Sequence, residues 1–243
     1  MKLFYPLGLG LLQVTGCYQD GFEEFNRNHM RKQAAIYETS SGSNLKEKPL
    51  SGLKFGIVLV DMQEGFFERG FYPYEKSEML REQKRVLEAA KEYDLPVLVF
   101  EMEGFGETLA PLEELIQQVP KHTTFSKYRQ DGFEIYGHLQ SPNPEVFPSD
   151  WLKEQGVNAL YFMGINGNAC VYETANSAQD LYNFTIATSN EVIATANDNA
   201  ESGDCHSESC DEAKSGLVLF LQRGILHPKN EPFLDYFKRK EKD

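Results

Sequence analysis

The run Phe55-Gly56-Ile57-Val58-Leu59-Val60 is almost wholly apolar and stops abruptly at Asp61. A strand with one wet face alternates apolar and polar residues. A strand without alternation is buried on both faces, as strands of parallel sheets are. Leu95 to Phe100, Val157 to Met163 and Phe184 to Thr188 read the same way. His122 to Phe125 reads as a shorter strand, and Ile225-Leu226 as a sixth. Helical spacing fills the gaps. Ser77 to Tyr93 carries Met79, Leu80, Val86, Leu87 and Ala90, and Thr108 to Gln118 carries Leu109, Leu112, Leu115 and Ile116. Further helices are expected over Pro148 to Gln155, stopped by Gly156, over Cys170 to Tyr182 and over Cys210 to Arg223. Strands separated by helices of this length predict βαβ units and a parallel α/β sheet.

The 243 residues suffice for one such domain with a substantial core. The net charge of −13 argues against a nucleic-acid groove, which needs a basic stripe, and against peripheral binding to anionic lipid. The N-terminus reads separately. Leu3 to Leu12 is mostly apolar, too short to span a bilayer but suited to the core of a signal peptide. It leads into Val14-Thr15-Gly16-Cys17, which resembles a bacterial lipobox with Cys17 as the lipidated cysteine. Residues 1–17 are therefore expected to be a lipoprotein signal peptide, against the alternative of a plain N-terminal extension. Residues 18–52, with the Ser-rich stretch Tyr37 to Asn44, read as a linker, and the domain is expected over 53–243. This reading places the protein in a bacterial envelope in preference to the cytoplasm. Its only expected membrane contact is a lipid on Cys17.

All strands of a parallel sheet end at one edge, and ligands bind there. Asp61 follows Val60, Lys127 follows Phe125-Ser126, and Cys170 follows the turn Gly164-Ile165-Asn166-Gly167-Asn168-Ala169. A carboxylate, an ammonium and a thiol can thus meet there, as a nucleophilic cysteine with its base and an orienting charge requires. Cys170 opens a helix, whose dipole is expected to lower the thiol pKa and favour thiolate. The N–H groups of that turn can bind an oxyanion. Taken singly, Cys170 also fits a buried inert thiol, Asp61 a turn or capping residue, and Lys127 a surface lysine. Gln63, Phe66, Glu101, Tyr128 and Phe133 are the candidate substrate contacts. Glu101 and Glu103 would suit a cationic or amino-bearing substrate, or equally belong to a solvated loop capping the next helix through Glu107 and Thr108. The aromatic residues fit a pocket wall or simply the core.

Three segments together resemble the isochorismatase-like cysteine hydrolases. Val60-Asp61-Met62-Gln63 with Phe66 resembles the family's first strand and its aspartate. Lys127 with Asp131 and Phe133 resembles K-x-x-x-[SD]-x-F-x-x-T-x-L, although Tyr136 and His138 replace the usual threonine and leucine. Gly164 to Cys170 with Val171, Thr174 and Ala175 matches G-x-x-x-x-x-C-V-x-x-T-A. Gly167-Asn168 stands where Thr-Asp or Thr-Glu is common. The resemblance implies a three-layer α/β/α, Rossmann-like fold with a six-stranded, mostly parallel sheet, and a homo-oligomer. It implies Cys170 as nucleophile, Asp61 as the base taking its proton, and Lys127 tuning both. Attack on a carbonyl or amide carbon would form a thioester that water releases. It also implies a cis peptide at Ile165–Asn166, with the N–H of Asn166 or Ala169 joining that of Cys170 at the oxyanion.

Nicotinamidases of this family carry an Asp-x-His…His metal cluster, yet no histidine lies between Asp61 and Lys121. No catalytic metal or other cofactor is therefore expected, and nicotinamide is not the expected substrate. Isochorismatases that cleave a vinyl ether usually lack the cysteine, so Cys170 points to C–N hydrolysis. The expected function is a metal-independent cysteine hydrolase acting on a small amide-like molecule. A non-catalytic binding member of the same fold and an isochorismate-type vinyl-ether hydrolase are the alternatives. Cys205 and Cys210 frame His206 in a spacing unlike common zinc sites. A Cys205–Cys210 disulfide is the better account in an exported protein, and free thiols in a reducing compartment.

Overall fold

The computed structural model describes residues 50, 52–67, 73–134, 146–194 and 216–239. The lipobox with Cys17, the expected linker up to residue 49, Tyr136 and His138, and the Cys205–Cys210 bridge lie outside these residues. Six strands form one sheet: β1 (Phe55–Val60), β2 (Val97–Met102), β3 (His122–Lys127), β4 (Ala159–Gly164), β5 (Thr185–Ser189) and β6 (Ile225–His227). Their order is β3-β2-β1-β4-β5-β6, and each neighbouring pair is parallel. The described helices are α1 (Glu64–Phe67), α2 (Pro73–Glu92), α3 (Ala110–Ile116), α4 (Pro148–Glu154), α5 (Cys170–Asp180), α6 (Gly216–Arg223) and α7 (Glu231–Arg239). The sheet is thus the parallel α/β sheet that the apolar runs predict.

Every residue of β1 and β4 is buried. Successive side chains of a strand point to opposite faces, and each face meets its own helices. Tyr161 packs on Phe233 of α7 with ring centroids 4.3 Å apart, while its neighbour Phe162 packs on Phe220 of α6 at 5.7 Å. Phe55 joins the α7 side, edge-on to Phe233, Tyr236 and Phe237.

Three boundaries of β2 and β3 differ from the sequence reading for a physical reason. β2 begins at Val97, because Pro96 has no N–H for the ladder; its carbonyl still accepts from the N–H of Ile57 at 2.8 Å. Both β2 and β3 run on past their apolar stretches, since Glu101 and Met102 pair with Ser126 and Lys127. Helices α1 and α7 were not expected. Helix α7 carries a signal in Pro232 near its start and in buried Phe233, Leu234 and Phe237 at helical spacing.

This strand order places the site. The chain leaves β1 toward β2 on one side, and β4 lies on the other, so the loops after β1 and β4 diverge. In such sheets ligands bind at the carboxyl ends of the strands, where these two loops part. The two strand ends approach closely there: Val60 pairs with Gly164, and the N–H of Ile165 donates to the Val60 carbonyl at 3.1 Å. A Cβ on Gly164 would sit 2.1 Å from that carbonyl oxygen, and its φ of +136° already disfavours a side chain. Gly164→Ala is therefore expected to cost roughly 3–5 kcal/mol, the upper range for a single substitution, in chemical unfolding.

Candidate active site

The chain leaves β1 in a left-handed turn at Asp61, with φ at +51°, a conformation aspartate tolerates better than most residues. Its N–H still donates to the Phe100 carbonyl at 2.9 Å, so the bend begins only after the last ladder bond. Lys127 arrives from β3, two strands away. Its flexible stem lets Nζ donate to Asp61 Oδ2 at 2.8 Å and to the Arg129 carbonyl at 3.0 Å. Cys170 is the first residue of α5. All three side chains are buried: Asp61 is 1%, Lys127 0% and Cys170 5% exposed. The Cys170 thiol interacts with both charges, and among the described residues Asp61 Oδ1 makes no hydrogen bond of ordinary geometry. The structure therefore brings the three sequence-predicted reactive residues into one cluster.

Burial raises the Asp61 carboxyl above the ordinary carboxylate range, and the Lys127 charge only partly offsets it. Burial also pushes the Cys170 thiol up to about 12, with the Asp61 charge adding to the rise and Lys127 opposing it. This corrects the expectation of a resting thiolate. The helix N-terminus supplies a fractional positive charge, which burial and a full negative charge nearby outweigh. Near neutral pH the site holds a protonated thiol beside the Asp61–Lys127 pair.

The peptide bond between Ile165 and Asn166 is cis. The N–H of Ala169 donates to the Asn166 carbonyl at 3.1 Å, and that of Val171 donates to the same oxygen at 3.1 Å. Ala169 is thus withdrawn as an oxyanion donor, because its N–H closes the turn. The N–H of Cys170 has no acceptor among the described residues, and no side chain caps this end of α5.

The candidate substrate contacts fare differently. Gln63 is buried, and its amide is spent on the backbone: Nε2 donates to the carbonyls of Met102 at 2.9 Å and Gly106 at 2.6 Å, and Oε1 accepts from Met102 N–H at 2.7 Å. It ties α1 to the loop after β2. Glu101 Oε1 accepts from the N–H and hydroxyl of Thr108, at 2.8 and 2.6 Å, so this oxygen holds the same loop. Phe133 is core, packed on Phe100 and Tyr182. Phe66 stacks face to face on Phe105, with centroids 4.0 Å apart, and Tyr128 is 44% exposed. Among the described residues, no group of three or more His, Cys, Asp or Glu side chains could hold a metal ion.

One bracket was not foreseen. Asp131 accepts from Ser177 Oγ at 2.6 Å and from Phe133 N–H at 2.8 Å, while Thr174 Oγ1 accepts from Gly132 N–H at 3.0 Å and donates to the Gln130 carbonyl at 3.2 Å. These bonds fasten the loop after Lys127 to the helix that Cys170 opens. The sequence signal was the i, i+3 spacing of Thr174 and Ser177, which places both on one helix face.

Two outcomes follow from this electrostatics. Lys127→Met leaves a buried carboxylate without its partner, so a loss of about 3–5 kcal/mol is expected near neutral pH. That loss should shrink in acid, where Asp61 takes a proton, and urea unfolding at several pH values reads it. The Cys170 thiol ionises near 9.0 in the unfolded chain and near 12 in the folded one. Between these values the unfolded chain binds fewer protons, so rising pH lowers stability, by up to ~1.4 kcal/mol per pH unit. Cys170→Ser removes that slope, and unfolding of both proteins between about pH 9 and 10.5 should show a steeper decline for the wild type.

The family model for the isochorismatase domain matches residues 56–202. No curated protein sequence matches the chain. Solved structures share the fold at low identity. An isochorismatase-like hydrolase from Alkaliphilus metalliredigens aligns with TM-score 0.54 and 15% identity over 76% of this chain and 99% of its own. The nicotinamidase of Staphylococcus aureus aligns with TM-score 0.51 and 16% identity, covering 72% of this chain and 99% of its own. A ribonuclease from Caenorhabditis elegans aligns with TM-score 0.54 and 16% identity, covering 78% and 88%. With the matched model spanning the sheet edge that carries Asp61, Lys127 and Cys170, the chain belongs to the isochorismatase family and is an isochorismatase-like hydrolase.

Proposed function

We propose that this chain is a metal-independent cysteine hydrolase that cleaves a small amide-like substrate through a thioester on Cys170. The observation that carries the reading is the buried Asp61–Lys127 ion pair with the Cys170 thiol beside it, interacting with the Asp61 carboxyl. A neutral thiol is a poor nucleophile, so its proton must leave as the bond to carbon forms. Asp61 accepts that proton. Burial favours the protonated carboxyl, which makes Asp61 a stronger base than an exposed aspartate. Lys127 keeps the carboxylate ionised until then and holds it in place through Oδ2.

The sulfur forms a bond to the carbonyl carbon, and the carbonyl electron pair moves to oxygen. The N–H of Cys170, without an acceptor among the described residues, would receive that charge. Collapse of the tetrahedral species breaks the C–N bond, and the proton held by Asp61 passes to the leaving nitrogen. Water, deprotonated by the same carboxylate, then attacks the thioester and frees the thiol. No histidine between Asp61 and Lys121 is available for the metal cluster of nicotinamidases, which turns the reading away from nicotinamide.

Two measurements test this reading. Wild-type protein given a panel of small amides and ureas should turn one over, with an acyl group on the Cys170 peptide by mass spectrometry. Cys170→Ala and Asp61→Asn should each lose roughly 10³-fold or more in kcat. Turnover that survives Cys170→Ala sinks the thioester route and favours vinyl-ether chemistry. Iodoacetamide labelling of Cys170 across pH gives the second. Asp61→Asn removes a charge that holds the thiol pKa up, so the labelling profile should move to lower pH. An unmoved profile would mean the cluster is not coupled, and a binding protein would be the better reading.

A further inference from the structure

Gln83 stands on the sheet-facing side of α2, 0% exposed, among Met79, Val86, Leu87 and Ala90. An apolar residue is what that side of the helix calls for. Its neighbour Glu82 is also buried, yet it pairs with Arg81 and Arg85. Gln83 has different partners. Its Nε2 donates to the Val192 carbonyl at 2.9 Å and approaches Met62 Sδ at 3.5 Å, while Oε1 has no hydrogen-bond partner among the described residues. Turned over, the amide would set its oxygen against the Val192 carbonyl, so hydrogen bonding fixes its orientation.

Both partners lead to the cluster. Met62 is covalently next to Asp61. The Val192 carbonyl also accepts from Gly164 N–H at 3.0 Å, and Gly164 begins the turn that ends at Cys170. Ile193 bridges to Gly164, and Ala194 N–H donates to the Gly164 carbonyl at 3.2 Å. The amide of Gln83 therefore touches the segment behind the base and the segment from which the nucleophile's turn hangs. An unpartnered buried oxygen is a cost that a methionine of similar length would avoid. Local rules broken at such cost tend to mark functional positions.

We propose that Gln83 is a positioning residue: it holds Met62 and Val192 in fixed relation, and through them sets Asp61 against Cys170. The inference rests on the reading of that cluster as catalytic.

The probe is iodoacetamide labelling of Cys170 across pH, with thermal unfolding alongside. Gln83→Met conserves volume and removes both the donor and the unpartnered oxygen. It is expected to unfold at or above the wild-type temperature. Its labelling profile should move toward that of Asp61→Asn, with labelling roughly threefold faster at fixed pH, equivalent to about half a pH unit. In the Asp61→Asn background the same substitution should add nothing. Gln83→Glu, which buried stays protonated and donates through its O–H, should keep the wild-type profile. A Gln83→Met protein that folds and labels as wild type overturns the assignment, as does a Gln83→Glu protein whose profile moves with that of Gln83→Met. In either case a wild-type profile that still depends on Asp61 leaves the catalytic reading standing. A wild-type profile indifferent to Asp61→Asn overturns both.

Discussion

The ion pair between Asp61 and Lys127 organises the site. Neither side chain reaches water, so each charge depends on the other and on the few polar groups nearby. A lone buried carboxylate would take a proton, and a lone buried ammonium would lose one. At 2.8 Å from the Asp61 carboxyl, Lys127 offsets part of the upward push that burial gives it. The pairing demands a long reach from β3, a left-handed turn after β1 and the Arg129 carbonyl as a second acceptor. Each of these features lies at the carboxyl edge of the sheet.

Backbone geometry supports the pair. Gly164 lets the ends of β1 and β4 approach closely enough for Ile165 to bond to Val60, which brings the Cys170 turn beside Asp61. Gly132 lies where a Cβ would be 2.7 Å from the Phe100 ring, so the loop after Lys127 can press onto the core. Asp131, Thr174 and Ser177 then join that loop to α5. On the other flank, Gln63 and Glu101 bind α1 and the loop after β2 into one unit. Side chains that resembled ligand contacts thus act as backbone ties, because irregular loops leave many carbonyls and N–H groups needing partners.

The state of the thiol follows from competition between local and tertiary effects. Its position at a helix start favours thiolate, whereas burial and the neighbouring carboxylate favour the protonated form. The local effect is a fraction of a charge and the opposing ones are larger. A protonated, buried sulfur is less reactive than an exposed thiolate.

The parallel α/β sheet was legible in the chain because continuous apolar runs such as Phe55–Val60 have few alternatives to a doubly buried strand. That Asp61, Lys127 and Cys170 would meet at one sheet edge was legible too, since each follows a strand and parallel strands end on the same side. Strand limits were less so: Pro96 and the Glu101–Ser126 pairing set them through hydrogen bonds, which hydrophobicity does not report. Helix α7 escaped notice because its buried face answers to Phe55, far away in sequence. The tertiary structure alone decided that Gln63 and Glu101 bind backbone, that Ala169 closes a turn and that Cys170 rests protonated. Sequence records which groups a chain carries and their local periodicity. Hydrogen-bond partners and desolvation depend on what folding brings alongside, and those decided the chemistry of the site.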